Sequence, residues 1–181
     1  MKLKSLSGQI LFEGDYLTQK EMLGEAIDQN INLSEANLRY CSLKYVNFES
    51  VKLSGTSFWG ADLSYSSLLQ SNLKYCDFRL CKAHFRDFSK SKLIKSNFSG
   101  ADLHKTIFKQ ADLSETVFTK PEIFEQFFDS QTILRGALYS HLGEKEYLLA
   151  DILKFFEDKK ADQVLNNIND VEARILQFAN K

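Results

Sequence analysis

The sequence predicts a solenoid, and three observations within one stretch predict it. From Leu33 to Phe118 every fifth position is apolar, with ten Leu, seven Phe and one Ala, Ala83, in 18 positions. Two residues earlier in each block stands a small, β-branched or Cys residue, with Arg86 the exception. Between the two, 13 of the 18 blocks carry Asn, Asp or Ser, side chains that hydrogen-bond nearby backbone and favour turns. A step of five turns each apolar residue roughly 140° around a helix, so no stripe forms. On a flat strand an odd step alternates between faces and leaves half of these residues in water. A chain that turns a corner between blocks keeps every fifth residue on one central axis.

The blocks SEANL (34–38), WGADL (59–63), SGADL (99–103) and KQADL (109–113) resemble the A-(D/N)-L-x-x signature of the pentapeptide-repeat family, in register over about residues 31–118. The resemblance implies an all-β solenoid, a right-handed quadrilateral β-helix with four blocks per coil. Sorting the inward residues by 20 tests that coil. One side collects Leu33, Leu53, Leu73, Leu93 and Leu113, and the next Leu38, Phe58, Phe78, Phe98 and Phe118. The third has Leu43, Leu63, Ala83 and Leu103, the fourth Phe48, Leu68, Phe88 and Phe108. Leu and Phe segregate onto alternating sides, which a period of five alone does not require. At about 4.8 Å per coil the four and a half coils make a rod some 20–25 Å long.

Three segments follow: 1–30 as an N-terminal hairpin and helix cap, 31–120 as the β-helix, and 121–181 as a C-terminal helical capping or dimerisation segment. Exposed coil edges invite aggregation unless covered. Thr18 with Glu21 forms a capping box ahead of Met22, Leu23, Ala26 and Ile27, which predicts a helix over about 19–29. Leu3–Leu6 and Gln9–Glu13 flank Ser7-Gly8 as a hairpin. At the other end, the register of five runs on through Ile123, Phe128 and Ile133, but Pro121 at the head of PEIFEQFF favours a short helix instead. Tyr147, Leu148, Leu149, Ile152, Leu153, Phe155 and Phe156 give a helix with a wide apolar face. A last helix, about 161–179, spaces Val164, Ile168, Val171, Ile175 and Phe178 as a seam. The plainer account is an α-hairpin capping the last coil; the sharper one is a homodimer contact.

Catalytic chemistry is not expected. The chain has no GxxxxGK[ST], GxGxxG, HExxH or GxSxG, and His84, His104 and His141 fall in no catalytic spacing. Cys76, Cys81 and His84 lack a fourth metal ligand, and Cys41, Cys76 and Cys81 all occupy inward small-residue positions, so buried free thiols are expected and no metal or cofactor. No apolar run approaches the ~20 residues of a membrane span and the N-terminus is too polar for a signal peptide, so no membrane contact and a cytoplasmic location are expected.

The pattern falters at Ala83–Arg86. Ala83 is small for its slot and Arg86 takes a buried position where an unpaired charge is costly; a predicted bulge that swings Phe85 inward and Arg86 outward resolves both faults, as an irregular corner or as a site of partner contact. Outward residues also stack at intervals of 20. Arg39, Trp59 and Arg79 form one column suited to cation–π contact, and Tyr45, Tyr65 and Phe85 form another beside it. Ladder stacking that stabilises the rod and a protein-binding strip for an unidentified partner both fit, and Trp, Tyr and Arg are the types enriched in binding hot spots.

Some pentapeptide-repeat proteins resemble duplex DNA and bind type II topoisomerases. Residues 31–118 carry 12 Lys/Arg against 8 Asp/Glu, a net +4 that weakens DNA mimicry and is too modest to point to nucleic acid. The expected function is a non-catalytic protein-interaction scaffold. A gyrase modulator and an effector with its activity in the C-terminal helices are the alternatives.

Overall fold

The computed structural model describes residues 1–119, 128–141 and 145–151. Each block of five builds the same corner. The inward residue opens a turn closed by a backbone hydrogen bond three residues on, such as Ser66 N to Leu63 O at 3.0 Å. The residue two past it takes positive φ, as at Tyr65 (65°), Lys95 (57°) and Gly100 (67°). Positive φ at the third of four turn residues is the type II turn. The polar residue ahead of the inward one accepts from the backbone N–H two positions later, Asp62 from Ser64 at 2.9 Å and Asn97 from Ser99 at 2.8 Å. This is the role the Asn/Asp/Ser pattern foretold.

Coils stack through parallel bridges at a separation of 20, from Asn37↔Ser57 to Asn97↔Val117. All 18 inward positions are buried, none more than 1% exposed. Along one side the rings of Phe58, Phe78, Phe98 and Phe118 stack at 4.9, 4.6 and 5.3 Å. From the facing side Phe88 and Phe108 insert edge-on, 5.7 Å from Phe98 in each case. The alternation of Phe and Leu sides is thus a zipper of rings down the axis, in the offset and T-shaped geometries aromatic pairs prefer. The small residues at the corners line a second ladder. The hydroxyls of Thr56, Ser71, Ser91 and Thr106 donate to carbonyls 23 residues earlier at 2.6–2.8 Å, which lets a buried polar group pay no desolvation penalty.

The N-terminal segment forms a hairpin and one helix. Strand β1 (Lys2–Lys4) pairs antiparallel with β2 (Ile10–Glu13), and Asn37 N donates to Lys4 O at 2.9 Å, so β1 lies along the first coil. Helix α1 (Gln19–Asp28) starts at the capping box, with Thr18 Oγ1 accepting from Glu21 N at 3.1 Å. Its buried Met22, Leu23 and Ala26 join the core of the solenoid.

The C-terminal side needs correction. Residues 130–141 are not helical: they continue the solenoid beyond the boundary placed at 120. Strand β3 (Val117–Thr119) pairs in parallel with β4 (Leu138–His141) at a separation of 21, and β4 pairs antiparallel with β5 (Lys145–Leu148). Phe128 keeps the register of five, its ring 5.8 Å from Phe108 and stacked. Ile133 does not: it is 50% exposed, while the positive φ of the next corner falls at Gly136, two past Leu134. One extra residue therefore lies between Phe128 and Leu134. Asp129 holds this longer corner, accepting from Gln110 N at 3.0 Å, Gln131 N at 3.1 Å and Thr132 Oγ1 at 2.9 Å. Tyr147 and Leu148, assigned to a helix face, lie on β5 instead. The helix proposed at Pro121, residues Ile152–Phe156 and the seam Val164, Ile168, Val171, Ile175 and Phe178 lie outside the described residues.

Candidate interaction surface

The corners dictate what the rod displays. The two residues after each inward position project outward, and bridging at a separation of 20 lines them up on successive coils. Two adjacent corners carry the aromatic columns that the sequence placed there.

In the first column the Arg39 and Arg79 guanidiniums lie 5.7 and 4.9 Å from the Trp59 ring, a cation on either side. Both are tethered. Arg39 Nε donates to Ser57 Oγ at 3.0 Å, and Arg79 grips Asp77 through Nε and Nη2, each at 2.8 Å. Burial alone raises the Asp77 carboxyl, but the hydrogen bonds and charge of Arg79 outweigh it and hold the group below the ordinary range. Tyr40 leans on the indole at 6.1 Å, and Nε1 of Trp59 is buried with no hydrogen-bond partner among the described residues. The indole is mostly covered, its Nε1 end fully so.

In the second column Tyr45 and Tyr65 stack nearly parallel, centroids 5.1 Å apart at 10°, and are 63% and 57% exposed. Phe85 follows one coil on, 54% exposed, edge-on to His104 at 5.9 Å. Lys20 of α1 sits 5.5 Å from the Tyr45 ring and Lys105 5.1 Å from the Phe85 ring.

The predicted bulge at Ala83–Arg86 is absent. Ala83 stays inward and fully buried, Phe85 stays outward, and Arg86 is only 5% exposed. The cost of burying the guanidinium is met differently. Nε donates to His84 O at 2.7 Å, Nη1 donates to Ser66 O, and the group lies 5.4 Å from the Tyr65 ring. Elsewhere the carbonyl at the Ser66 position takes a backbone N–H from the next coil, as Ala61 O does from Lys82 at 2.9 Å. Here the side chain takes that bond, and no bridge joins Ser67 to Asp87 among the described residues. Burial draws the guanidinium below its usual value against the field of Tyr65 and Asp62. Beyond the misplaced Arg itself, nothing in the repeat pattern marks this wedge.

The remaining chemistry is sparse. Cys76 and Cys81 are buried and their thiols pushed far up by desolvation, while Cys41 is half-buried and accepts from Gln19 Nε2 at 2.9 Å. Among the described residues no three His, Cys, Asp or Glu side chains gather as a metal site, and no helix is long and apolar enough to cross a membrane.

A rod of 20-residue coils with type II corners and an inward Leu or Phe on each side defines a β-solenoid of the quadrilateral kind. The family model for pentapeptide repeats matches at 31–68, 52–84 and 87–119, in eight copies. Residues 31–119 thus form a run of pentapeptide repeats, and the match implies right-handed winding of the coils. A search of curated sequences gives no match. Among solved structures the chain is similar to the pentapeptide-repeat protein Rfr23 of the cyanobacterium Cyanothece 51142, at 18% identity over 52% of this chain and 59% of that one, TM-score 0.41. It is similar to HetL of Nostoc sp. strain PCC 7120 at 20% over 56% of each chain, TM-score 0.39. It is similar to alr5209 of Nostoc PCC 7120 at 20% over 54% of this chain and 78% of that one, TM-score 0.44. The match spans less than two thirds of the length of Rfr23 and HetL.

Proposed function

We propose that this protein is a non-catalytic interaction scaffold. The repeats supply a rigid rod, α1 and the β1–β2 hairpin cover its first coil, and the outward aromatic column of Tyr45, Tyr65 and Phe85 forms its contact strip for a protein partner, with the neighbouring Arg39, Trp59 and Arg79 supporting it. The observation that carries this reading is the run of Tyr45, Tyr65 and Phe85, each more than half exposed and in register on three consecutive coils. Large aromatic side chains held rigidly on a surface bind at low entropic cost and are the types enriched in hot spots. DNA mimicry fits less well. The coils carry net positive charge, and Asp62, Asp77, Asp102 and Asp112 spend oxygens on their own backbone turns.

Pull-down with immobilised wild type, Tyr65→Ala with Phe85→Ala, and Trp59→Ala with Arg79→Glu tests the reading, each variant first checked for a native circular dichroism spectrum. Loss of a specific captured protein by strip variants supports it. Retention of every partner by both pairs makes the columns structural only. The homodimer contact through Val164, Ile168, Val171, Ile175 and Phe178 is a separate proposal, tested by comparing the solution mass with and without residues 161–181.

A further inference from the structure

The two columns are not equivalent. The Trp59 indole is mostly covered, lying between Arg39 and Arg79 with Tyr40 against it, and Arg79 is neutralised by Asp77, so that column braces the rod. The Tyr45–Tyr65–Phe85 column presents its rings to solvent with unneutralised cations at both ends. Lys20 and Lys105 have no carboxylate within ion-pair distance among the described residues, whereas the acids nearby are engaged, Asp62 with Lys44 at 3.2 Å and Asp102 with His84 at 3.0 Å.

Resting on the scaffold reading, we propose that this second column is a docking site for an extended acidic peptide segment of the partner. Three features fix the chemistry. Flanking Lys20 and Lys105 select carboxylates, since charge complementarity sets partner choice and encounter rate. The tyrosine ring faces are taken, since Lys20 covers Tyr45, Tyr45 and Tyr65 cover each other, and Arg86 lies on Tyr65, while Lys105 lies over one face of Phe85. What remains outward are ring edges, the positive rim of the quadrupole, which favour carboxylate and carbonyl oxygens. Single-stranded nucleic acid, which binds by laying bases on open ring faces, is correspondingly disfavoured. The length also follows. From Lys20 through three rings to Lys105 are four steps of about 5 Å, roughly 20 Å in all. An extended chain covers that in about six residues. The fitting segment has acids toward both ends and apolar or aromatic residues between.

Fluorescence anisotropy on the full chain tests this with three labelled probes: the peptide DEFYED, its charge-reversed counterpart KRFYRK, and an oligothymidylate about twelve nucleotides long. The acidic peptide is expected to bind and the basic one not, with affinity falling as salt rises from about 50 to 500 mM. Lys105→Glu and Tyr65→Ala are each expected to weaken binding about tenfold or more, and Arg39→Ala to leave it within about twofold. Lys105 is exposed, so its variant keeps the fold and the test informative. Binding of the oligonucleotide in preference to the peptide, equal binding of both peptides, no binding of DEFYED, or equal loss in Arg39→Ala overturns the proposal. If the strip variants lose a captured protein that DEFYED does not displace, the scaffold reading stands and the acidic-segment proposal fails. If neither variant pair loses a partner, the scaffold reading itself fails.

Discussion

Phe98 is the side chain on which the ring zipper leans most, and its truncation gives the sharpest test of the core. The ring is fully buried between Phe78 at 4.6 Å and Phe118 at 5.3 Å, with Phe88 and Phe108 edge-on at 5.7 Å each. Phe→Ala in a core costs about 3–5 kcal/mol through lost burial and the cavity left behind. Aromatic pairs add about 0.5–1.5 kcal/mol each beyond burial, and Phe98 has four, which puts Phe98→Ala at the upper end, about 5 kcal/mol. Phe48 supplies the control: equally buried, its one ring contact among the described residues is with Phe58 at 6.0 Å, so Phe48→Ala belongs at the lower end, about 3 kcal/mol. Urea unfolding followed by far-ultraviolet circular dichroism measures both, provided the slope of the transition is unchanged. A loss at Phe98 below that at Phe48, or under about 2 kcal/mol, refutes the zipper as the main source of core stability.

Three further outcomes follow from local structure. At Gly60, φ is +64° and an added Cβ meets the Tyr40 ring at 2.6 Å, so Gly60→Ala should cost about 2 kcal/mol, and about 1 kcal/mol when Tyr40→Ala removes the clash and leaves only the backbone penalty. A thermal-denaturation double-mutant cycle checks this; identical costs in both backgrounds remove the ring from the account. Asp62, Asp77 and Asp129 are each held below the ordinary carboxyl range by hydrogen bonds that outweigh the opposing effect of burial. Their stabilisation is therefore fully present above an unfolded pKa of about 4 and is lost as pH falls through the lowered native values. Melting temperature should stay flat from pH 7 to about 5 and drop below about 4, less steeply in Asp129→Asn than in wild type. A thiol-reactive dye should label Cys41 slowly in the native protein and Cys76 and Cys81 only on unfolding. Fast labelling of all three contradicts the coil packing.

Most of the rod was legible because its rule is local and repeated. A fifth-position Leu or Phe must point at the axis whatever its neighbours do, and residues 20 apart must stack once the coil closes. The Trp59 sandwich and the Tyr45–Tyr65 stack follow from that arithmetic alone. The capping box of Thr18 and Glu21 was equally plain, since it needs only residues inside one turn. What failed was anything that broke the count. One extra residue after Phe128 hid the last coil, because a fixed step of five lands on exposed Ile133 rather than on Leu134, and only the Asp129 hydrogen bonds explain why the longer corner holds. Arg86 failed for a different reason. The cost of burying its charge was judged without the two carbonyls, His84 O and Ser66 O, that its length lets it reach. The bracing and presenting columns look alike in sequence. They separate only once the tether between Arg79 and Asp77 is seen beside the unpaired Lys20 and Lys105.

Whether the Tyr45–Tyr65–Phe85 column is the contact surface can be read ring by ring by nuclear magnetic resonance of aromatic-labelled protein. Titration with the DEFYED peptide should move the ring signals of Tyr45, Tyr65 and Phe85 together, saturating with one midpoint, while the Trp59 indole signal stays in place. Shifts centred on Trp59, or no shift at any of the three rings at saturating peptide, contradict it.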